Sequence, residues 1–194
     1  MLTHPLILAS SSPYRRELLT RLHLPFDSIT PDVDETPQQG EAPHTLAQRL
    51  AQAKAHAIAE QHPHAIVIGS DQVADLAGQP LGKPSTHARA VLQLQRMRGQ
   101  AVTFHTAVAV VCQTTGFAQT ELATVTVRFR ALTDSEIDRY LHIEQPYDCA
   151  GSAKSEGLGI TLLEAIHNDD PTALVGLPLI RTCRLLRAAG LILP

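Results

Sequence analysis

The sequence predicts an α/β fold, a mixed sheet flanked by helices. Three patterns predict it. Short, wholly apolar runs at 6–9 and 65–69 read as strands buried on both faces. Amphipathic stretches with start and stop signals are interleaved with them. Two longer segments, about 101–112 and 119–131, are joined by Thr114-Thr115-Gly116 and read as a hairpin. That hairpin breaks a strict βαβα order, so the sheet is mixed.

The first strand runs into Ser10-Ser11-Ser12-Pro13. Ser12 suits an N-cap and Pro13 the first helical position. The helix that follows carries Tyr14, Leu18, Leu19 and Leu22 as its apolar positions. Residues 31–44 are rich in proline, glycine and acid and read as a loop, followed by a helix over about 45–61. The second strand ends in Ser70-Asp71, and 78–84 is turn-rich. Ser85 or Thr86 caps a helix that stops at Gly99. In the second hairpin strand Val125, Val127 and Phe129 alternate with Thr126, Arg128 and Arg130, the pattern of a half-buried antiparallel strand. Thr133-Asp134-Ser135-Glu136 is a capping box opening a helix through about Ile143. Residues 146–160 are small, glycine-rich and polar. A last helix runs from about Leu177 to Gly190.

The 194 residues suffice for one domain spanning 1–194, with a core that needs no disulfide or metal to fold. Sixteen basic against 19 acidic residues give a net charge of −3, which provides no basic field for nucleic acid. No apolar run approaches a membrane span. The N-terminus lacks the basic start and long apolar stretch of a leader. Cys112, Cys149 and Cys183 are far apart and read as reduced thiols of a cytoplasmic protein. The ten histidines show no HxxxH or HExxH spacing and read as surface or satisfied core residues.

Chemistry gathers at three places. The serine turn joins a buried strand to a helix start, where free backbone N–H groups and the helix dipole favour an anion. Arg15 and Arg16 stand in that first turn at a local cost to the helix, which fits phosphate binding; an ordinary capped helix with solvated arginines is the alternative. In the second helix Leu46, Ala47, Leu50, Ala53, Ala57 and Ile58 form one stripe, and Lys54 falls inside it. A lysine there must pair, snorkel outward or reach into a cleft. The chain has only three lysines, Lys54, Lys83 and Lys154, against thirteen arginines, and Lys83 and Lys154 lie in glycine-containing turns. A compact ammonium suits phosphate oxygens. Codon bias toward arginine is the alternative. Finally, Asp71 ends an apolar strand, where α/β sheets bind ligands. Glu35, in Asp32-Val33-Asp34-Glu35, offers a second carboxylate. Two carboxylates among cations suit a phosphate–Mg²⁺ site.

Together these residues resemble the Maf family of nucleotide pyrophosphatases. The resemblance spans essentially the whole chain through LILASSSPYRRELL, PDVDET, LAQAKA, GSDQV, LGKP, the hairpin, CAGSAKSEGLG and DPTALVGLPL. SDQV and AGSAKSEGLG look like the branch acting on 7-methyl-GTP rather than the branch acting on dTTP and UTP. The resemblance implies an elongated, two-lobed architecture of the Maf/Ham1 (ITPase-like) kind with a central cleft. It implies a cytoplasmic enzyme, often dimeric, that hydrolyses a nucleoside triphosphate between its α and β phosphates. A divalent cation (Mg²⁺, Mn²⁺ or Co²⁺) is implied as cofactor. The alternatives are a pyrophosphatase for dTTP/UTP or other modified nucleotides and, of a different class, a nucleotide-binding cell-division regulator without turnover.

By the same resemblance Asp71 is the proton acceptor, and Ser10, Arg15, Glu35, Lys54 and Lys83 handle phosphate and metal. Glu35 and Asp71 are the expected metal positions. Tyr14, Gln72 and Glu156 occupy the positions linked with substrate choice, where the dTTP/UTP pattern has arginine, threonine and glutamine. A carboxylate such as Glu156 can accept both N1–H and N2–H of guanine. Methylation at N7 makes that base cationic, which an anionic Glu156 and the face of Tyr14 favour.

Overall fold

The computed structural model describes residues 4–194; residues 1–3, on which part of the reading of the N-terminus rests, lie outside it. The sheet contains β1 (Leu6–Ala9), β2 (Asp27–Ile29), β3 (Ile66–Leu76), β4 (Gln79–Leu81), β5 (Ala101–Cys112), β6 (Phe117–Phe129) and β7 (Leu163–His167). The helices are α1 (Pro13–Thr20), α2 (Pro43–Ala59), α3 (His87–Met97), α4 (Asp134–Glu144) and α5 (Leu179–Ala188). Strand order is β2-β1-β3-β5-β6-β7, with β4 beside β3. β1 pairs in parallel with β2 and β3, and the other pairings are antiparallel, so the sheet is mixed as expected.

β1 is buried throughout, yet its side chains still alternate. Ile7 and Ala9 pack under α2, and Leu6 and Leu8 pack against α1 and α5. This half of the sheet is therefore covered on both faces. The far halves of β3, β5 and β6 form a third core with α3 and α4, around Leu94, Met97, Phe104, Phe129 and Leu141. The hairpin β5–β6 runs through all three cores as one continuous ladder. Thr86 caps α3 by accepting the Arg89 N–H, and the capping box at Thr133 and Glu136 opens α4.

Four elements differ from the sequence reading, among them β4, which falls in the stretch read as turn-rich. β3 does not end at Asp71 but continues for five more residues, so Asp71 lies within a strand. The apolar signal stops there, because the strand passes out of the core into a cleft. β2 and β7 were not expected, being short and mostly exposed or half-buried. On α2 the fully buried small residues are Ala51 and Ala55, while Ala53 and Ala57 are only half-buried. No helix among the described residues is long and apolar enough to cross a membrane. All three cysteines are free.

One glycine sets the spacing of this lobe. A Cβ on Gly69 would lie 2.2 Å from the Ala51 carbonyl oxygen and 2.6 Å from the Ala55 nitrogen. The backbones of α2 and β3 are thus in direct contact. Gly69→Ala forces them apart and should lower stability by about 1–3 kcal/mol in urea unfolding, the usual cost of overpacking. Parental stability in that variant would contradict the contact.

Candidate active site

The cleft opens where one edge of β3 changes partner. Residues 66–69 pair with β1 on that edge, and 74–76 pair with β4. Between them the edge of 70–73 has neither partner. The chain of β1 leaves there into the serine turn, the kind of divergence at which open α/β sheets bind ligands. The resulting cavity is about 580 Å³, and all nine residues singled out from the sequence line it: Ser10, Tyr14, Arg15, Glu35, Lys54, Asp71, Gln72, Lys83 and Glu156. A larger hollow of about 760 Å³ lies by the β2 edge, lined by Phe26, His62 and His64 among others. It is a more open surface depression and contains none of the nine, so volume alone does not mark the site.

Side chains on β3 alternate, so Gly69 and Asp71 share the face under α2. The helix that touches Gly69 through Ala51 and Ala55 therefore holds Lys54 over Asp71. Lys54 Nζ lies 2.6 Å from Asp71 Oδ1 and 2.6 Å from Glu35 Oε1. Lys54 and Asp71 side chains are only 7% and 11% exposed, whereas Glu35 is 57% exposed on its loop. Lys54 therefore pairs and does not snorkel. Burial alone would raise the Glu35 carboxyl, but the hydrogen bond and charge of Lys54, with Lys83 and Arg15 behind it, hold it below its usual range. Lys83 is exposed on the turn after β4 and pairs with no carboxylate among the described residues.

On the opposite face of β3, Ser70 and Gln72 hold the segment before α5. Ser70 Oγ donates to the carbonyls of Ala107 (2.7 Å) and Gly176 (3.0 Å) as a shared hydrogen. Gln72 Nε2 donates to Thr106 Oγ1 and to the carbonyls of Ala173 and Leu174 at 2.9–3.0 Å. Its amide hydrogens are thus committed to the scaffold, and only Oε1 is left for a ligand. Arg15 Nε donates to the Gly176 carbonyl at 2.8 Å, which fixes the guanidinium at the cleft wall. Gly176 has φ +120°, a backbone state that favours glycine. Buried Asp170 accepts the N–H groups of Ile180 and Arg181 and so caps α5. Ser70, Asp170 and Gly176 were not singled out from the sequence. The sequence signal was the DPTALVGLPL run itself, whose Asp and Gly had no visible partner in a linear reading.

In the serine turn, Ser12 Oγ accepts the Arg15 N–H and Ser10 Oγ accepts the Ser12 N–H. Ser10 is buried, so in this arrangement it shapes the loop. The N–H groups of Ser11 and Tyr14 have no protein acceptor among the described residues. They remain available to an anion at the start of α1.

The other end of the cleft is acidic. Tyr14 Oη donates to Asp148 Oδ2 at 3.4 Å, and Glu156 is exposed nearby. Burial pushes the Tyr14 phenol up to about 12, with Cys149 and Asp148 adding to it. Burial and Asp148 push the Cys149 thiol up to about 12 as well, so it is not a reactive thiolate. Asp148 was missed in the sequence because a lone Asp in a turn carries no pattern. Lys154 Nζ sits 5.4 Å from the Tyr14 ring centre and 3.2 Å from Glu144 Oε1. One face of Tyr14 is therefore already occupied by a cation.

The cleft thus combines three cationic side chains and free backbone N–H groups with two carboxylates. That is the arrangement of an α/β protein that binds a polyphosphate. The donor set also suits a hard divalent cation. Lys54 engages one oxygen of each carboxylate, and Glu35 Oε2 and Asp71 Oδ2 accept no protein hydrogen bond among the described residues. A protein-family profile described as Maf-like protein matches residues 5–189, and the chain belongs to that family. A relative from Polaromonas sp., named 7-methyl-GTP pyrophosphatase, is 71% identical over 191 residues, covering 98% of this chain and 87% of its own. One of the same name from Albidiferax ferrireducens is 67% identical over 186 residues, covering 96% and 94%. Among solved structures, the Staphylococcus aureus Ham1 protein aligns with 66% of this chain and 72% of its own, at 17% identity and a TM-score of 0.49.

Lys54→Met would leave Asp71 buried beside Glu35 with no counter-charge. Because Asp71 borders the cleft and can gain water, the loss should fall at the lower end of about 3–5 kcal/mol in urea unfolding. A variant as stable as its parent would mean that the ammonium lives in solvent.

Proposed function

We propose that this protein hydrolyses the α–β phosphoanhydride of a nucleoside triphosphate, 7-methyl-GTP, giving the nucleoside monophosphate and pyrophosphate. The relatives that share 67–71% of its residues carry that activity in their names. The single observation that carries the reading for this chain is Lys54 Nζ bridging Asp71 and Glu35 inside the cleft. We take residues 1–194 as one domain of two lobes on a continuous sheet, resident in the cytoplasm.

In this reading Arg15, Lys54 and Lys83 neutralise the triphosphate, with the N–H groups of the serine turn. A water oxygen bonds to the α-phosphorus as the bond from that phosphorus to the bridging oxygen breaks and pyrophosphate leaves. Asp71 accepts the proton of the water. Lys54 holds Asp71 Oδ1, which leaves Oδ2 to face the water. Such chemistry is mostly positioning and charge stabilisation. Glu35 and Asp71 would hold a divalent cation (Mg²⁺, Mn²⁺ or Co²⁺), which supplies further charge neutralisation to the phosphates when bound. Glu156 and Asp148 give the base end two carboxylates, suited to the paired N–H donors and the positive charge of 7-methylguanine. The Tyr14 face contributes less than the sequence suggested, because Lys154 already sits over it.

A panel of nucleotides assayed for pyrophosphate release, with and without EDTA, tests the reading. Release from 7-methyl-GTP ahead of dTTP, UTP and GTP, abolished by EDTA, is expected; tight binding without turnover would instead support the regulator. Asp71→Asn should lose at least ~100-fold in kcat, the scale of a general base. Near-normal turnover would remove Asp71 from that role. Glu156→Gln should narrow the preference for 7-methyl-GTP over UTP, and an unchanged ratio would exclude Glu156 as a reader of the base.

A further inference from the structure

On the outer face of the second lobe, away from the cleft, three metal-type ligands from two helices converge. His87 is the first residue of α3, and Asp138 and His142 lie one turn apart on α4. One ligand atom from each lies within 4.8 Å of the others. His87 Nε2 is 3.7 Å from Asp138 Oδ1, and His142 Nδ1 is 3.3 Å from it. Ligand bonds of about 2.0–2.1 Å in a tetrahedron put neighbouring donors about 3.3 Å apart. The three groups therefore stand close to the required spacing before any ion is added.

The hydrogen bonding around His87 adds an independent observation. Tyr147 Oη donates to the Leu141 carbonyl at 3.3 Å and lies 3.0 Å from His87 Nδ1. In the tautomer with the hydrogen on Nδ1, the phenol accepts from His87 and gives its own hydrogen to Leu141. His87 Nε2 then presents a lone pair toward the Asp138 carboxylate, at a separation too long for a hydrogen bond. In that tautomer two acceptors face each other and leave a place for a cation, and a hydrogen bond at Nδ1 is the usual outer support of a metal-bound imidazole. His142 Nδ1 now lies 2.8 Å from the Asp138 main-chain oxygen, so loading exchanges that hydrogen bond for a metal bond. The His87 and His142 rings are 5.0 Å apart, and His142 is 67% exposed, which leaves a coordination position for water.

We propose that His87, Asp138 and His142 form a binding site for a first-row transition-metal ion of the Zn²⁺ class. Imidazoles with one carboxylate select such ions over Mg²⁺ or Ca²⁺. The site is separate from the carboxylates of the cleft and does not rest on the reading of its activity. Its position gives it a mechanical connection to the cleft. Ser85 N–H donates to the Tyr147 carbonyl at 3.0 Å. The segments that carry Lys83 on one side and Asp148 and Cys149 on the other are therefore joined at the base of the site, and an ion there braces both.

The protein is stripped with a chelator and titrated with Co²⁺ alone, read by visible absorption, and with Zn²⁺ alone, read by calorimetry. The expected result is the intense visible absorption of a nitrogen-ligated, low-coordinate Co²⁺, saturating at one ion per chain in Glu35→Gln, where the carboxylates of the cleft no longer compete for the ion. His142→Ala, His87→Ala and the near-isosteric Asp138→Asn should each weaken binding at least ~10-fold and remove the absorption. Melting curves confirm that the apo variants remain folded; all three positions are exposed or half-buried. Glu35→Gln should keep the absorption. The proposal is overturned if the absorption survives His142→Ala, if it disappears in Glu35→Gln, or if it does not saturate there.

Discussion

A lysine ammonium buried between two carboxylates is the constraint on which the rest of the cleft depends. Ion pairs cut off from water are costly to assemble and more costly to leave half-made, so each partner must be delivered with little freedom. The fold does this with the stiffest parts available. Asp71 comes from the middle of an eleven-residue strand and Lys54 from the middle of a seventeen-residue helix. Gly69 removes the last side chain between them, and the two-residue period of the strand then puts Asp71 on the right face. Only Glu35 comes from a loop, and it is the one member largely in solvent.

The same strand explains why the site lies between separate cores. β3 pairs with β1 early and with β4 late on one edge, and the stretch between, paired only with β5, is the floor of the cleft. Each lobe buries its own core, so the gap needs no apolar filling. The polar side chains of this stretch divide by face. Asp71 looks toward the cations under α2, while Ser70 and Gln72 secure the opposite wall.

Much of this was legible in the sequence, for identifiable reasons. A capping box, an N-cap serine before a proline, and a lysine inside an apolar stripe are local signals. Each was found where the sequence put it. What was not legible depends on distant chain. The true length of β3 was hidden because its polar residues are satisfied by segments about a hundred residues away. Asp148 and Asp170 carry no spacing pattern, and their meaning comes from Tyr14 and from the N-terminus of α5. The histidines were read as bland by spacing. That holds for His4 and His64 at the surface but not for His105, whose buried Nδ1 finds no partner. His87 and His142 are at the surface as read, and they meet only because α3 packs on α4.

The Gly176 carbonyl receives both Arg15, 161 residues earlier, and Ser70, 106 residues earlier. Near the end of the chain, one peptide oxygen thus fastens an arginine from near its beginning. Synthesis runs from the N-terminus, and contacts so far apart in sequence form late. In a chain still leaving the ribosome, Arg15 lacks its anchor until Gly176 has emerged. The wall of the cleft that this guanidinium forms is fixed only by a segment 161 residues further along the chain.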